Sequence, residues 1–202
     1  MNLNNLPFNW FDVLLVLVLA LGIARGRKRG LSQEIFTMTL WLVVIAVCAV
    51  SYMPVGDLMA STTPFSALFS YVVSYIALAG LLALVFMPIK RAMGGKMISA
   101  DSFGRAEYYV GMPAGMIRFL CILIAFLAVL NAREYTTKEI VDREKYQKEV
   151  YGSEFFPGLS TLQRDVFEKS FTGPHIKKYL SFLLIKPTAP QRKQIKRPEE
   201  KW

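Results

Sequence analysis

Four stretches of the chain are apolar over long runs, and polar residues separate them at regular intervals. The first, Val13 to Ala24, ends in a basic knot of Arg25, Arg27, Lys28 and Arg29. Gly30, Leu31, Ser32 and Gln33 then lead through Glu34 into the second run, Ile35 to Met53, which carries no charge. The third is uncharged from Leu58 to Ile89, with Pro64 and Pro88 as its expected helical limits. The fourth runs from about Tyr108 to Leu130 and contains one charge, Arg118. Crossing a hydrocarbon core takes about 20 apolar residues, with a range of ~17–25. The second, third and fourth runs reach that length outright, and the first does so if Leu6 to Asp12 lies at the outer interface. The pattern predicts an all-α polytopic membrane protein with four transmembrane helices, at about residues 8–24, 35–53, 64–88 and 108–130.

Cations set the orientation. The first loop holds the knot Arg25–Arg29, and the third, Ile89 to Glu107, holds Lys90, Arg91, Lys96 and Arg105. The second, Pro54 to Thr63, has no cation and one Asp57. Basic loops stay cytoplasmic, so loops one and three are expected inside and both termini outside. Residues 1–9 lack the cations of a signal peptide, and no small-residue cleavage site follows, so the first helix is expected to be retained.

Beyond a membrane unit at 1–131 the pattern changes. Residues 132–186 read as an amphipathic helical tail. Tyr135 to Val150 alternates in sign with helical potential, and Gly152 and Pro157 break it. Ser160 with Gln163 has the spacing of a capping box. Leu162, Val166, Phe167 and Phe171 follow on one helical face. Gly173-Pro174 closes that helix and opens another, in which Ile176, Tyr179, Leu180, Leu183 and Leu184 are apolar and Lys177, Lys178 and Lys186 basic. This last segment is too short to span and reads as an interfacial or partner-docking helix. Residues 187–202 are rich in Pro, Lys, Arg, Gln and Glu and are expected to be disordered.

Composition sharpens this picture. The net charge is +9, yet only nine of the 24 Lys and Arg precede residue 131, and eight of those nine sit in the two basic loops. The cations are not interleaved with aromatics, and no nucleic-acid-binding motif is present, so anionic lipid is the expected counterpart and nucleic acid is not. Cys48 and Cys121 both lie in apolar runs and read as packing residues. The single histidine, His175, opens a tail helix. No spacing of His, Cys or carboxylates suggests a metal. Gly94-Gly95-Lys96 is not a phosphate loop, because Arg91 and Met97 stand where one needs Gly and Ser or Thr. No enzyme chemistry and no cofactor are expected.

The candidate functional residues are therefore the charges in or beside the membrane: Asp12, Glu34 and Arg118. A mid-helix charge costs ~2.5–3.5 kcal/mol on insertion scales unless it is paired, hydrated or able to snorkel. Arg118 leans toward the N-terminus of its own helix, hence inward, and Glu34, opening an outward-running helix, also leans inward. Asp12 leans outward. Glu34 is thus the preferred partner of Arg118; the alternative is an Arg118 that snorkels to lipid phosphate while Glu34 caps its helix or pairs with Arg29. Gly111 and Gly115, four apart, permit close approach of a neighbouring helix. Pro113 between them favours a kink or a late helix start, so a broken helix beside a binding site is the second reading.

These residues resemble a known family. Trp10, Asp12, Arg29-Gly30, Glu34 and Trp41 have the order and spacing of the first hairpin of the CvpA (colicin V production protein) family, and Gly111, Gly115 and Arg118 match the start of its last helix. The resemblance covers roughly residues 8–130. Three positions depart from the family pattern: Gln33, Glu107-Tyr108 and Phe119 stand where members often carry a basic residue, an Asp-Arg pair and a Gly. The resemblance implies a four-helix bacterial inner-membrane protein linked to colicin V production and envelope phenotypes, with Gly30, Gly111 and Gly115 as packing positions. Some relatives carry an external protease after the same unit, in agreement with an outward C-terminus, but this tail has no protease-like Ser/His/Asp set. Two functions follow as expectations. One is a non-enzymatic scaffold or accessory factor in envelope function, colicin V production or toxin export, as a homo-oligomer or with a membrane or periplasmic partner at the tail helices. The other is a small-solute or ion transporter lined by Arg118, Glu34 and Asp12.

Overall fold

The structure is a computed structural model that describes residues 8–97, 104, 106–136, 139, 141 and 158–189. The expected segment Tyr135–Val150 and the residues beyond 189 lie largely outside these, as do Arg105 and the side chain of Lys96. Helix α1 spans Trp10–Arg29, α2 Leu31–Thr62, α3 Ala67–Met97 and α4 Ala106–Asn131. In the tail, α5 (Leu159–Arg164) runs into a π turn at Asp165–Lys169, followed by α6 (Thr172–Tyr179) and a 3-10 turn at Ser181–Leu183. Among the described residues the one bridge of β type joins Arg133 to Thr188.

Helices α1, α2 and α4 outrun their apolar stretches, and α3 starts inside its own, at Ala67, but runs past its end to Met97. Lys and Arg are good helix formers, so a helix need not stop where its lipid-facing length does. Arg25, Arg27, Lys28 and Arg29 accordingly form the last turns of α1 instead of a loop, where cations suit the negative end of the helix dipole. The first loop shrinks to Gly30. Its φ of +74° lets it end α1 and begin α2 at once, with its N–H bonded to the Gly26 carbonyl at 3.0 Å. Pro54 does not end α2 and Pro88 does not end α3; both lie inside. Each removes one backbone donor, a loss that the neighbouring turns tolerate. The second loop is thereby reduced to residues 63–66. In the last turn of α2 the hydroxyls of Ser61 and Thr62 donate to the Leu58 carbonyl and that of Thr63 to the Met59 carbonyl. Pro113 sits well inside α4, which starts early, at Ala106.

Three of the helices are long and apolar enough to cross a membrane: α2, α3 over Ala67–Ala92, and α4. Helix α1 is not among them, because Asp12 and the four cations break its apolar length. The helices pack in a row. Helix α1 lies on α4, α4 on α2, and α2 on α3, while α1 and α2 hardly touch despite sharing Gly30. On the α2–α3 face Gly56 admits the Tyr71 ring, and the Tyr71 hydroxyl donates to Asp57 at 2.6 Å. The apolar core runs from Val44, Cys48 and Tyr52 of α2 through Leu123, Leu127 and Ala128 of α4 to Val166, Phe167, Leu184 and Ile185 of the tail.

Candidate functional site

Helices α1 and α4 meet backbone to backbone along a seam of glycines. Gly22, Gly26 and Gly30 fall on one face of the antiparallel pair, Gly111 and Gly115 on the other. A Cβ on Gly26 would enter the carbonyl oxygen of Gly111, and one on Gly115 the carbonyl oxygen of Gly22. Gly111 in turn lies against the backbone of Gly30. Small residues every fourth position allow this approach, which side chains of any size would forbid.

The seam ends at a charge cluster. Glu34, in the first turn of α2, is fully buried at 0% exposure. One arginine reaches each of its oxygens: Arg118 Nη1 donates to Oε1 at 2.5 Å, and Arg29 Nη1 stands 3.5 Å from Oε2. Arg118 is 14% exposed and Arg29 34%. The preferred Glu34–Arg118 pair is thus present, and from the alternative only the Glu34–Arg29 contact is found beside it, so Glu34 bridges an arginine of α1 and one of α4. The Arg118 guanidinium also lies 5.3 Å from the ring of Phe119. Glu107 completes this end. Gly30 has no side chain to cap α2, and Glu107 of α4 supplies the acceptor instead, taking the Ser32 N–H at 3.3 Å. A carboxylate there also suits the positive end of the α2 dipole. The cluster ties α1, α2 and α4 together.

Asp12 is not part of this network. It sits at the far end of α1, about 27 Å from Gly30 at 1.5 Å per residue. Buried to 4% exposure, it is the third residue of α1 and closes a capping box with Asn9. Its remaining capacity goes to the tail. Oδ2 accepts from the Phe171 N–H, and Oδ1 from the N–H and hydroxyl of Thr172, at 3.0, 3.0 and 2.6 Å. A carboxylate close to the apolar layer is tolerated because every lone pair is aimed at a donor.

The tail is bolted across this end at further points. Ser160 does not cap α5, which starts at Leu159 behind Gly158. Gln163 reaches instead to the open end of α4, where its Nε2 donates to the carbonyls of Leu130 and Arg133 at 3.1 and 2.9 Å. Asn131 Nδ2 donates to the Ile185 carbonyl at 2.9 Å, and the Lys186 N–H to the Tyr52 hydroxyl at 3.1 Å. Helix α6 begins at Thr172, ahead of Gly173-Pro174, and stops at Tyr179, so Leu183 and Leu184 are not on it. Thr188, expected to be disordered, is held by its N–H on the Ala132 carbonyl at 2.9 Å. Orphan carbonyls at the α4 terminus recruit these donors. Replacing Asp12 with alanine should loosen the tail by about 2 kcal/mol, the worth of charged hydrogen bonds. The amide protons of Phe171 and Thr172 should then exchange ~30-fold faster, with Asp12→Asn in between; unchanged exchange would mean the tail is held without Asp12.

Sequence reasoning named Gly30, Gly111 and Gly115 and missed Gly22 and Gly26, although the spacing 22, 26, 30 was there to be found. Glu107, Asn131 and Gln163 were also missed as fastenings; they bond to backbone groups, which leave no pattern in a sequence. Among the described residues no group of His, Cys, Asp or Glu is placed to hold a metal. His175 is exposed, with Nδ1 2.9 Å from the Phe171 carbonyl. A family model described as Colicin V production protein matches residues 11–164. No curated protein and no solved structure matches the chain.

Proposed function

The chain belongs to the colicin V production protein family, and from that premise we propose that it is a non-enzymatic membrane scaffold in colicin V production or a related envelope task. The observation that carries this reading is the burial of Glu34 between Arg118 and Arg29. A transport path needs its charges wetted and offered to a passing solute, whereas Glu34 is shut away from solvent between two arginines. Asp12 extends no path from them, since its oxygens are spent on the tail at the opposite end.

In this reading α1 is the fourth span. It lies along α4, itself long and apolar enough to cross. Its outer side is Val13, Val16, Leu17 and Leu21, all exposed and all apolar. Asp12 is withdrawn from lipid, and the cations at the other end extend its reach by snorkelling. That end, with Lys90 and Arg91 of α3 beside it, faces the cytoplasm of a bacterial inner membrane, which places the docked tail outside. A second copy or a membrane or periplasmic protein is recruited through exposed side chains of the tail, with Phe171, Tyr179 and Phe182 foremost.

The test is co-purification in mild detergent with quantified stoichiometry, set against solute flux in proteoliposomes. A partner retained at fixed ratio and released by Tyr179→Ser with Phe182→Ser, while the bundle stays folded, is the expected result. A flux abolished by Glu34→Gln would establish the transporter in its place.

A further inference from the structure

At the cationic end, a groove of about 810 Å³ runs between α1 and α4 on the face turned away from α2. We propose that it binds one anionic phospholipid of the adjacent leaflet, with the phosphate between Arg27 and Lys28 and an acyl chain along Ile23 and Met112. The site rests on α1 standing beside α4 in the bilayer, which the scaffold reading shares.

Three features select this occupant. The first is shape. The glycine seam draws the two backbones together, and Ala20 and Ala24 on its flank leave a trough that larger side chains would fill. Its volume falls in the range of small-molecule pockets. The second is charge. Of the neighbouring cations, Arg29 and Arg118 are engaged by Glu34 and Lys90 by the Thr37 hydroxyl at 3.3 Å, while Arg25 is exposed on an adjoining groove and does not line this one. Arg27 and Lys28 are exposed, and among the described residues neither has an ion-pair partner. No acidic side chain lines the groove. The third is the layering of its walls. Tyr108 and Tyr109, both exposed, stand level with the cations, while Ile23 and Met112 lie one turn deeper. Hydroxyl-bearing rings at headgroup level above an apolar floor match a phospholipid, which is anionic at one end and hydrocarbon at the other. A free phosphate would use the cations and leave the floor bare.

The full chain in nanodiscs of equal phosphatidylglycerol and phosphatidylethanolamine tests this by native mass spectrometry. The expected result is one retained phosphatidylglycerol. Its preference over phosphatidylethanolamine falls roughly 30-fold in R27Q/K28Q, the share of two cations near an anionic surface. The charge-conserving R27K/K28R keeps the preference, and so does K177Q/K178Q, which removes equal charge from the tail. Equal loss in the tail variant would reduce the effect to bulk charge and overturn the site, as would full displacement by excess inorganic phosphate. Leu17→Cys probed with a membrane-impermeant maleimide separates the two readings. A protected cysteine without lipid preference sinks this site alone, and a labelled one sinks α1 as a span.

Discussion

Replacing Glu34 with leucine should destabilise the folded protein by about 3–5 kcal/mol, because removing one partner of a buried pair strands the other. Here it strands Arg118, 14% exposed, and leaves Arg29 approaching it across the vacated site with like charge. In detergent the midpoint of thermal unfolding should drop by roughly 10 °C, given about 2–4 °C per kcal/mol for a chain of this size. The informative comparison is Glu34→Leu combined with Arg118→Leu. Apolar residues in place of both buried partners leave only Arg29 without its carboxylate, and at 34% exposure it can turn to water, so most of the lost stability should return. If the double variant is as unstable as the single one, the pair is incidental and Glu34 matters for some other contact.

The second large effect is expected at Gly26. Valine there drives a branched Cβ into the Gly111 carbonyl, and the obstacle is backbone that has no rotamer to change. Overpacking of a core typically costs ~1–3 kcal/mol, and with nothing able to yield, this site belongs at the top of that range or beyond. Helices α1 and α4 must part, and Arg29 is carried away from Glu34. Gly80 is the control. It lies in the middle of α3 with nothing within 4 Å of a built Cβ, so Gly80→Ala should be neutral or stabilising by up to ~1 kcal/mol. Equal loss from the two substitutions, measured as the fraction that survives heating in detergent, would dissolve the distinction between seam and open surface.

Much of the bundle was legible because lipid imposes a length and a charge rule on any segment that crosses it. Glu34 and Arg118 could be matched across 84 residues because a side chain leans toward the N-terminus of its own helix, which fixes where each charge is delivered. Helix ends were less legible. Pro54 and Pro88 looked like limits, but a proline forfeits one bond and the turns around it persist. Gly22 and Gly26 were hidden inside an apolar run, where glycine looks like a weak helix former until a second glycine face is set against it. The tail was least legible. Asp12 looked like an intramembrane charge, and its partners are three backbone N–H groups, two of them in the tail, and a hydroxyl. Such partners carry no identity in a sequence, because every residue but proline offers the same N–H.

The distance in sequence between Asp12 and Thr172, 160 residues, sets an order of events during synthesis. At about 5–20 residues per second the ribosome needs roughly 8–30 s to make the segment that will satisfy this carboxylate. Until then the Asp12 carboxylate of α1 lacks three of its four donors, and that end of α1 is fastened only when the last helices arrive. A nascent chain that stops before residue 171 has α1 to α4 but not this fastening, and its Asp12 keeps only the Asn9 N–H as a donor.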